Sequence, residues 1–181
     1  MGDLPRDEYK ALRATIRERG TVRSITFFVA IAVWASLGFA FLASGHPAGS
    51  LPALMVLVAG FETVFQLHVG VERVGRYLQV AYEEPPQAPA ATRPKWETTT
   101  MAYGQARPSA GSDPLFARIF LAAMLVNVLP VLAFRAHWPL EVALLVLAHA
   151  AFGLRVLLAA RQAGRQRAAD LVRFRELLAG K

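Results

Sequence analysis

Four long segments of the chain carry almost no charge. Residues 25–43 contain no charged side chain, while residues 51–71, 115–134 and 138–160 contain one, one and two respectively. About 20 helical residues, rising about 1.5 Å each, are enough to cross the hydrocarbon core of a bilayer. The helices of a soluble bundle would show a polar stripe, which residues 25–43 lack. The pattern therefore predicts four transmembrane helices.

Short turns join these four segments in pairs, and helical patterns continue beyond the predicted membrane boundary. Residues 44–50 and 135–139 are the two turns. They predict an all-α polytopic membrane protein with two transmembrane hairpins and cytoplasmic helical extensions. Residues 3–19 are predicted to form an amphipathic helix that ends at Gly20. The second span is predicted to continue as one unbroken helix to Glu84, before two consecutive prolines.

The pattern divides the chain into four parts. These are an N-terminal amphipathic helix (1–24), a first hairpin with a cytoplasmic stalk (25–84), a Pro-rich cytoplasmic linker (85–114) and a second hairpin with a basic cytoplasmic helix (115–181). Six prolines favour an extended linker. Larger side chains in its middle leave open a second interpretation, in which they dock on a neighbouring element or on lipid: Trp96, Met101 and Tyr103.

The basic residues are distributed asymmetrically. Of the 20 Lys and Arg residues, 19 fall on one side of a four-pass topology, and only Arg135 falls on the other. This distribution predicts a cell inner membrane protein with both termini in the cytoplasm. The net charge of +7 then reflects topology and attraction to an anionic inner leaflet, not nucleic-acid binding. The absence of cysteine excludes disulfides and thiolate chemistry.

Several polar residues lie at similar depth in the predicted spans. Glu62 and His149 are each about ten residues from the outer end of their span, Asn127 is about seven, and Gln66 lies one turn inward of Glu62. We predict that Glu62, Gln66, Asn127 and His149 form an intramembrane polar layer. A carboxyl group at this depth is either protonated and hydrogen-bonded or ionised beside a cation, for which His149 is the nearest candidate.

This layer has a functional and a structural interpretation. The functional one is a proton or ion relay, or a polar ligand site. The structural one is a cluster of interhelical hydrogen bonds that sets the packing of this chain or pairs it with a partner subunit.

A second polar pair is predicted near the inner membrane boundary. His68 and Glu72 are spaced i and i+4, and we interpret them as a pair on the helix surface because two ligands are too few for a metal site. His68 and His149 differ in depth by about six residues, roughly 9 Å, which disfavours bis-histidine haem ligation. The sequence predicts neither a metal nor a cofactor.

No sequence motif indicates catalysis. The chain has no P-loop, no H-E-x-x-H and no G-x-S-x-G. The outer turns are too small to bind a macromolecule, whereas the extensions and the linker all lie on the inner side. We therefore predict a non-enzymatic accessory or scaffold subunit that binds other subunits or itself. The alternative is a small oligomeric proton- or ion-coupled transporter using Glu62, Asn127 and His149; a lipid enzyme has no supporting motif.

Overall fold

The computed structural model describes residues 4–84, 95–106, 113–133 and 138–180, and the regular secondary structure of these residues is entirely helical, without strands. It contains five α-helices, a 3₁₀ turn at Pro47–Gly49 and a π-helical turn at Gln79–Glu83. The all-α prediction is confirmed. The helices are α1 (Leu4–Ser44), α2 (Ser50–Leu78), α3 (Trp96–Ala106), α4 (Ala117–Ala133) and α5 (Pro139–Leu178).

Three of these helices are long and apolar enough to cross a membrane. They are α1, α2 with its π-helical continuation, and α5, which fits a membrane protein. The third predicted span corresponds to α4, a shorter apolar helix of 17 residues. At about 1.5 Å per residue α4 is roughly 25 Å long, less than the roughly 30 Å of a hydrocarbon core. Of the second predicted turn, 135–139, residues 135–137 lie outside the described residues.

Two details of the predicted helices can be compared directly with the structure. The predicted end of the N-terminal helix at Gly20 is wrong, because α1 runs unbroken from Leu4 to Ser44. A single glycine costs a helix only about 1 kcal/mol, which its neighbours can offset. The predicted continuity of the second span is confirmed, since the helix continues from Ser50 to Glu83 and changes only to π geometry at Gln79.

The chain divides into two compact units. The polar unit comprises Met1–Thr21, Leu67–Ser112 and Gln162–Lys181; the apolar unit comprises Val22–Gln66 and Asp113–Arg161. The polar unit contains 15 of the 20 basic residues and 10 of the 13 acidic residues. The two units therefore differ sharply in their content of charged residues.

The apolar unit is built around an aromatic core. Phe61 is fully buried, and its ring meets Phe120 edge to face at 5.3 Å and Phe152 at 6.0 Å. Gly60 lies next to this core, and a Cβ atom there would overlap the Cβ of Ala30 on α1. Edge-to-face aromatic packing and a small residue at a close helix approach are common ways of packing apolar helices.

The outer surface of the apolar unit is also hydrophobic. Large apolar side chains are exposed along all four of its helical segments, with Phe39 77% and Trp138 80% exposed. Soluble monomers rarely expose a contiguous apolar surface of this extent. This surface is consistent with a lipid environment.

Candidate functional site

The apolar unit contains a buried pair of polar side chains. Asn127 is on α4 and His149 is on α5, and the asparagine Nδ2 lies 2.9 Å from the histidine Nε2. The same amide nitrogen donates to the backbone carbonyl of Ser50 at 3.0 Å. His149 is 1% exposed. Asn127 thus joins α4 to α5 through His149 and to the first turn of α2 through Ser50.

The partners of His149 determine its protonation state. Its Nδ1 lies 2.7 Å from the backbone carbonyl of Leu145, which can only accept a hydrogen bond. The proton is therefore on Nδ1, and the Nε2 lone pair accepts the hydrogen bond from Asn127. Both ring nitrogens are satisfied in the neutral form, so the imidazole needs no counterion.

Glu62 pairs with Arg155 and not with His149. Its two carboxylate oxygens lie 2.7 Å from Nε and 2.8 Å from Nη2 of Arg155, a two-point contact. The arginine also lies over the ring of Phe65, 4.6 Å from its centroid. The expectation that His149 is the nearest cation is thus wrong. An ionised glutamate beside an arginine is one of the two inexpensive states available to a carboxyl group in an apolar region.

The predicted polar layer therefore separates into different contacts. Asn127 and His149 meet each other, Glu62 meets Arg155, and Gln66 is exposed on the surface of α2. Each of the two contacts pairs groups from different helices. Interhelical polar contacts of this kind hold apolar helices together.

The predicted pair of His68 and Glu72 does not lie wholly on the helix surface, because His68 is only 6% exposed. Glu72 pairs with Arg167 of α5 at 2.7 Å and lies 3.9 Å from Arg76, one turn along α2. In the polar unit, Glu72 thus connects α2 to the C-terminal part of α5.

An acidic side chain caps helix α3 from a distant part of the sequence. The Glu83 carboxylate accepts hydrogen bonds from the backbone N–H of Glu97 and of Thr98, both at 2.8 Å, and from the Thr98 hydroxyl at 2.6 Å. Glu83 belongs to the π-helical turn, and its carboxylate faces the positive end of the α3 dipole. This capping fixes the middle of the predicted linker as a helix on α2.

Glu97, in the first turn of α3, also joins three segments of the polar unit. Its carboxylate lies 2.6 Å from Arg13 of α1 and 3.5 Å from Arg76 of α2. Burial raises the pKa of the Glu97 carboxyl, and Arg13 and Arg76 oppose that rise. The Arg76 guanidinium additionally contacts the sulfur of Met101 on α3. Met101 thus docks on α2, whereas Trp96 and Tyr103 remain largely exposed.

Further contacts complete the polar unit. Arg175 makes a two-point ion pair with Glu84, at 2.8 and 3.0 Å, and its hydrogen bonds hold the pKa of the Glu84 carboxyl below its ordinary value. Glu8, near the start of α1, accepts hydrogen bonds from the hydroxyls of Tyr77 on α2 and Tyr82 in the π-helical turn. Polar contacts therefore link α1, the C-terminal part of α2 with its π-helical turn, α3 and α5.

No group of three or more possible metal ligands occurs in the described ranges. Comparison of the chain with family models, curated proteins and solved structures finds no match in any of the three. Function is therefore inferred from the polar contacts within each of the two units.

Proposed function

We propose that the protein is a non-enzymatic, multi-pass subunit of the cell inner membrane, which scaffolds or assists other proteins through a cytoplasmic face. In this proposal the apolar unit spans the bilayer with four helices in two hairpins, and both termini are cytoplasmic. The partners are other membrane or cytoplasmic subunits or further copies of the chain.

The observation that carries this proposal is the polar contact network of the polar unit. Four separate segments of the chain are tied by ion pairs and caps that link distant parts of the sequence, such as Arg13 to Glu97 and Glu84 to Arg175. Exposed side chains on this network, including Tyr103, are available to a partner. Such contacts order this surface before a partner binds. The surface therefore loses less conformational entropy on binding than an unstructured linker would.

The membrane orientation is supported by charge. The polar unit carries five more basic than acidic residues, and this surplus favours the cytoplasmic side. The same surplus would attract anionic lipid headgroups of the inner leaflet.

The transporter alternative has less support. A relay needs groups that exchange protons, whereas Glu62 is ion-paired and His149 is neutral with both nitrogens hydrogen-bonded. We therefore favour a structural role for these residues. In proteoliposomes loaded with a pH-sensitive dye, we expect the purified protein to leave the proton flux of empty vesicles unchanged. A flux that Glu62→Gln abolishes would establish the alternative.

Site-specific photocrosslinking in cells tests the scaffold proposal. Tyr103 on α3 is replaced by benzoylphenylalanine, and Phe39 in the apolar unit is replaced in a matched control; both side chains are exposed. We expect discrete protein adducts from position 103 and only lipid adducts from position 39. Protein adducts from position 39 alone would place the interaction within the membrane. Absence of protein adducts from both positions would argue against a scaffold.

A further inference from the structure

A cavity of about 480 Å³ opens in the polar unit between α1, α2 and α3. Small-molecule sites are typically roughly 300–1,000 Å³ in volume, so it is large enough for a small organic ligand. Five charged side chains and one large aromatic ring define its chemistry: Arg13, Arg17, Glu72, Arg76, Trp96 and Glu97.

The two carboxylates in the cavity are already neutralised by arginines. Glu97 pairs with Arg13 and Arg76, while Glu72 pairs with Arg167 and also lies 3.9 Å from Arg76. Together with Arg17, which also lines the cavity, the three arginines exceed the two carboxylates and leave a surplus of positive charge. The arginines therefore offset the repulsion that the two carboxylates would exert on an anion entering the cavity.

Two of the arginines retain hydrogen-bonding capacity. Arg76 is only 4% exposed, and its Nε has no hydrogen-bond partner among the described residues. A buried donor without a partner is costly, so a ligand that accepts from it would be stabilised. Arg17 lines the same cavity and has an exposed side chain, without an ion pair in the described part of the chain.

We propose that this cavity binds a phosphate-bearing anion. Arg17 and Arg76 contact the phosphate oxygens, and the organic part of the ligand lies against Trp96. Guanidinium groups match the geometry of phosphate, and several of them converging from two helices suit an anion with three or more acceptor oxygens. The phosphate belongs either to a phospholipid headgroup or to a soluble phosphoester.

Tryptophan fluorescence provides the test in the full-length protein in neutral detergent. In a Trp34→Phe/Trp138→Phe background, Trp96 is the sole tryptophan. It is titrated with glycerol 3-phosphate as the soluble probe and with dihexanoyl phosphatidylglycerol as the lipid probe. Glycerol and dihexanoyl phosphatidylcholine are the matched probes without net negative charge. We expect a saturable change with at least one anionic probe.

Arg17→Gln is the decisive variant, because Arg17 lies at the cavity without an ion pair whose loss would unfold the unit. We expect it to weaken binding about tenfold, as for the loss of a charge-assisted hydrogen bond. Arg165→Gln removes the same charge from an exposed site that does not line the cavity, and we expect a change of less than about twofold.

The outcomes separate the possibilities cleanly. Saturation by the lipid probe alone assigns the site to a headgroup, and saturation by glycerol 3-phosphate assigns it to a soluble phosphoester. Absence of any saturable response at millimolar concentration overturns the proposal. So does a response that Arg17→Gln and Arg165→Gln reduce equally, which would show attraction to net charge only. These results do not depend on whether the protein is a scaffold.

Discussion

Glu62 and Arg155 form a two-point ion pair between α2 and α5 in the apolar unit. Its two-point geometry satisfies both carboxylate oxygens, and Phe65 covers one face of the guanidinium. About a third of each side chain is exposed, 30% for Arg155 and 36% for Glu62. The pair therefore lies between a surface salt bridge, worth about 0–1 kcal/mol, and a fully buried one, whose breaking costs about 3–5 kcal/mol.

We expect Glu62→Gln to lower the free energy of unfolding by about 2 kcal/mol, because it leaves the Arg155 cation in an apolar region without a counterion. The measurement is the thermal midpoint of the purified protein in detergent. The double variant Glu62→Gln/Arg155→Gln removes both charges and should recover most of the loss. A single variant as stable as the wild type would show that the ion pair contributes nothing.

Depth along the helices predicts the contact between Asn127 and His149 and misses the contact between Glu62 and Arg155. Counting residues from the outer end of each span places Asn127 and His149 at similar depth, and their side chains meet. Arg155 lies six residues beyond His149, about 9 Å further along α5. Its long, flexible side chain spans much of that distance to reach Glu62, which backbone depth alone does not reveal. Sequence reasoning therefore finds short polar partners more readily than it finds arginines.

At the scale of elements, α3 depends on a cap supplied from outside its own sequence. It is an 11-residue helix, a length that is marginal in isolation. Glu83 binds the two backbone N–H groups at its start. The sequence gives little sign of this helix, because its flanks are rich in proline and its cap is 14 residues away.

We expect Glu83→Ala to release α3, at a cost of about 1–2 kcal/mol, typical of a lost helix cap. Hydrogen exchange is the local measurement, and amides within Trp96–Ala106 should lose protection. Glu84→Gln is the matched control, since the Glu84 carboxylate pairs with Arg175 of α5. Equal protection of α3 in wild type and Glu83→Ala would show that the cap is dispensable.

The close approach of α1 and α2 in the apolar unit gives another prediction. Gly60→Ala would place a Cβ against the Cβ of Ala30, so the helices must separate. Overpacking of this kind costs about 1–3 kcal/mol. We expect a lower melting temperature for this variant. Gly38→Ala on α1 is the control, because its Cβ would meet nothing within 4 Å and should stabilise the helix by roughly 0.5–1 kcal/mol. Similar melting temperatures for the two variants would contradict the close approach.

At the scale of the whole molecule, the division of chemistry between the two units is the main result. The sequence pattern predicts the long apolar segments because such segments are recognisable by length and composition alone. It does not predict how the charged segments associate, since their ion pairs join residues far apart in the chain, such as Arg73 and Asp170. Contacts of this kind depend on which helix faces meet, and no local pattern encodes them.

The last prediction concerns the orientation of the whole chain in the membrane. Because the native chain has no cysteine, single-cysteine variants can be labelled without background. We expect Thr100→Cys on α3 and Leu178→Cys at the end of α5 to be protected from an impermeant maleimide in intact cells and to react after permeabilisation. Ala48→Cys is the control, because Ala48 is exposed in the 3₁₀ turn and should face outward.

We expect residues 100 and 178 on the cytoplasmic side because the polar unit has a surplus of basic residues. This surplus opposes transfer of the polar unit across the membrane. If α4 fails to span, α5 would begin on the inner side and its C-terminal end would emerge outside. Leu178→Cys would then react in intact cells while Thr100→Cys stayed protected. Labelling of both Thr100→Cys and Leu178→Cys in intact cells would reverse the proposed orientation. Protection of both, with reaction of Ala48→Cys, requires α4 to cross the bilayer despite its 17 residues.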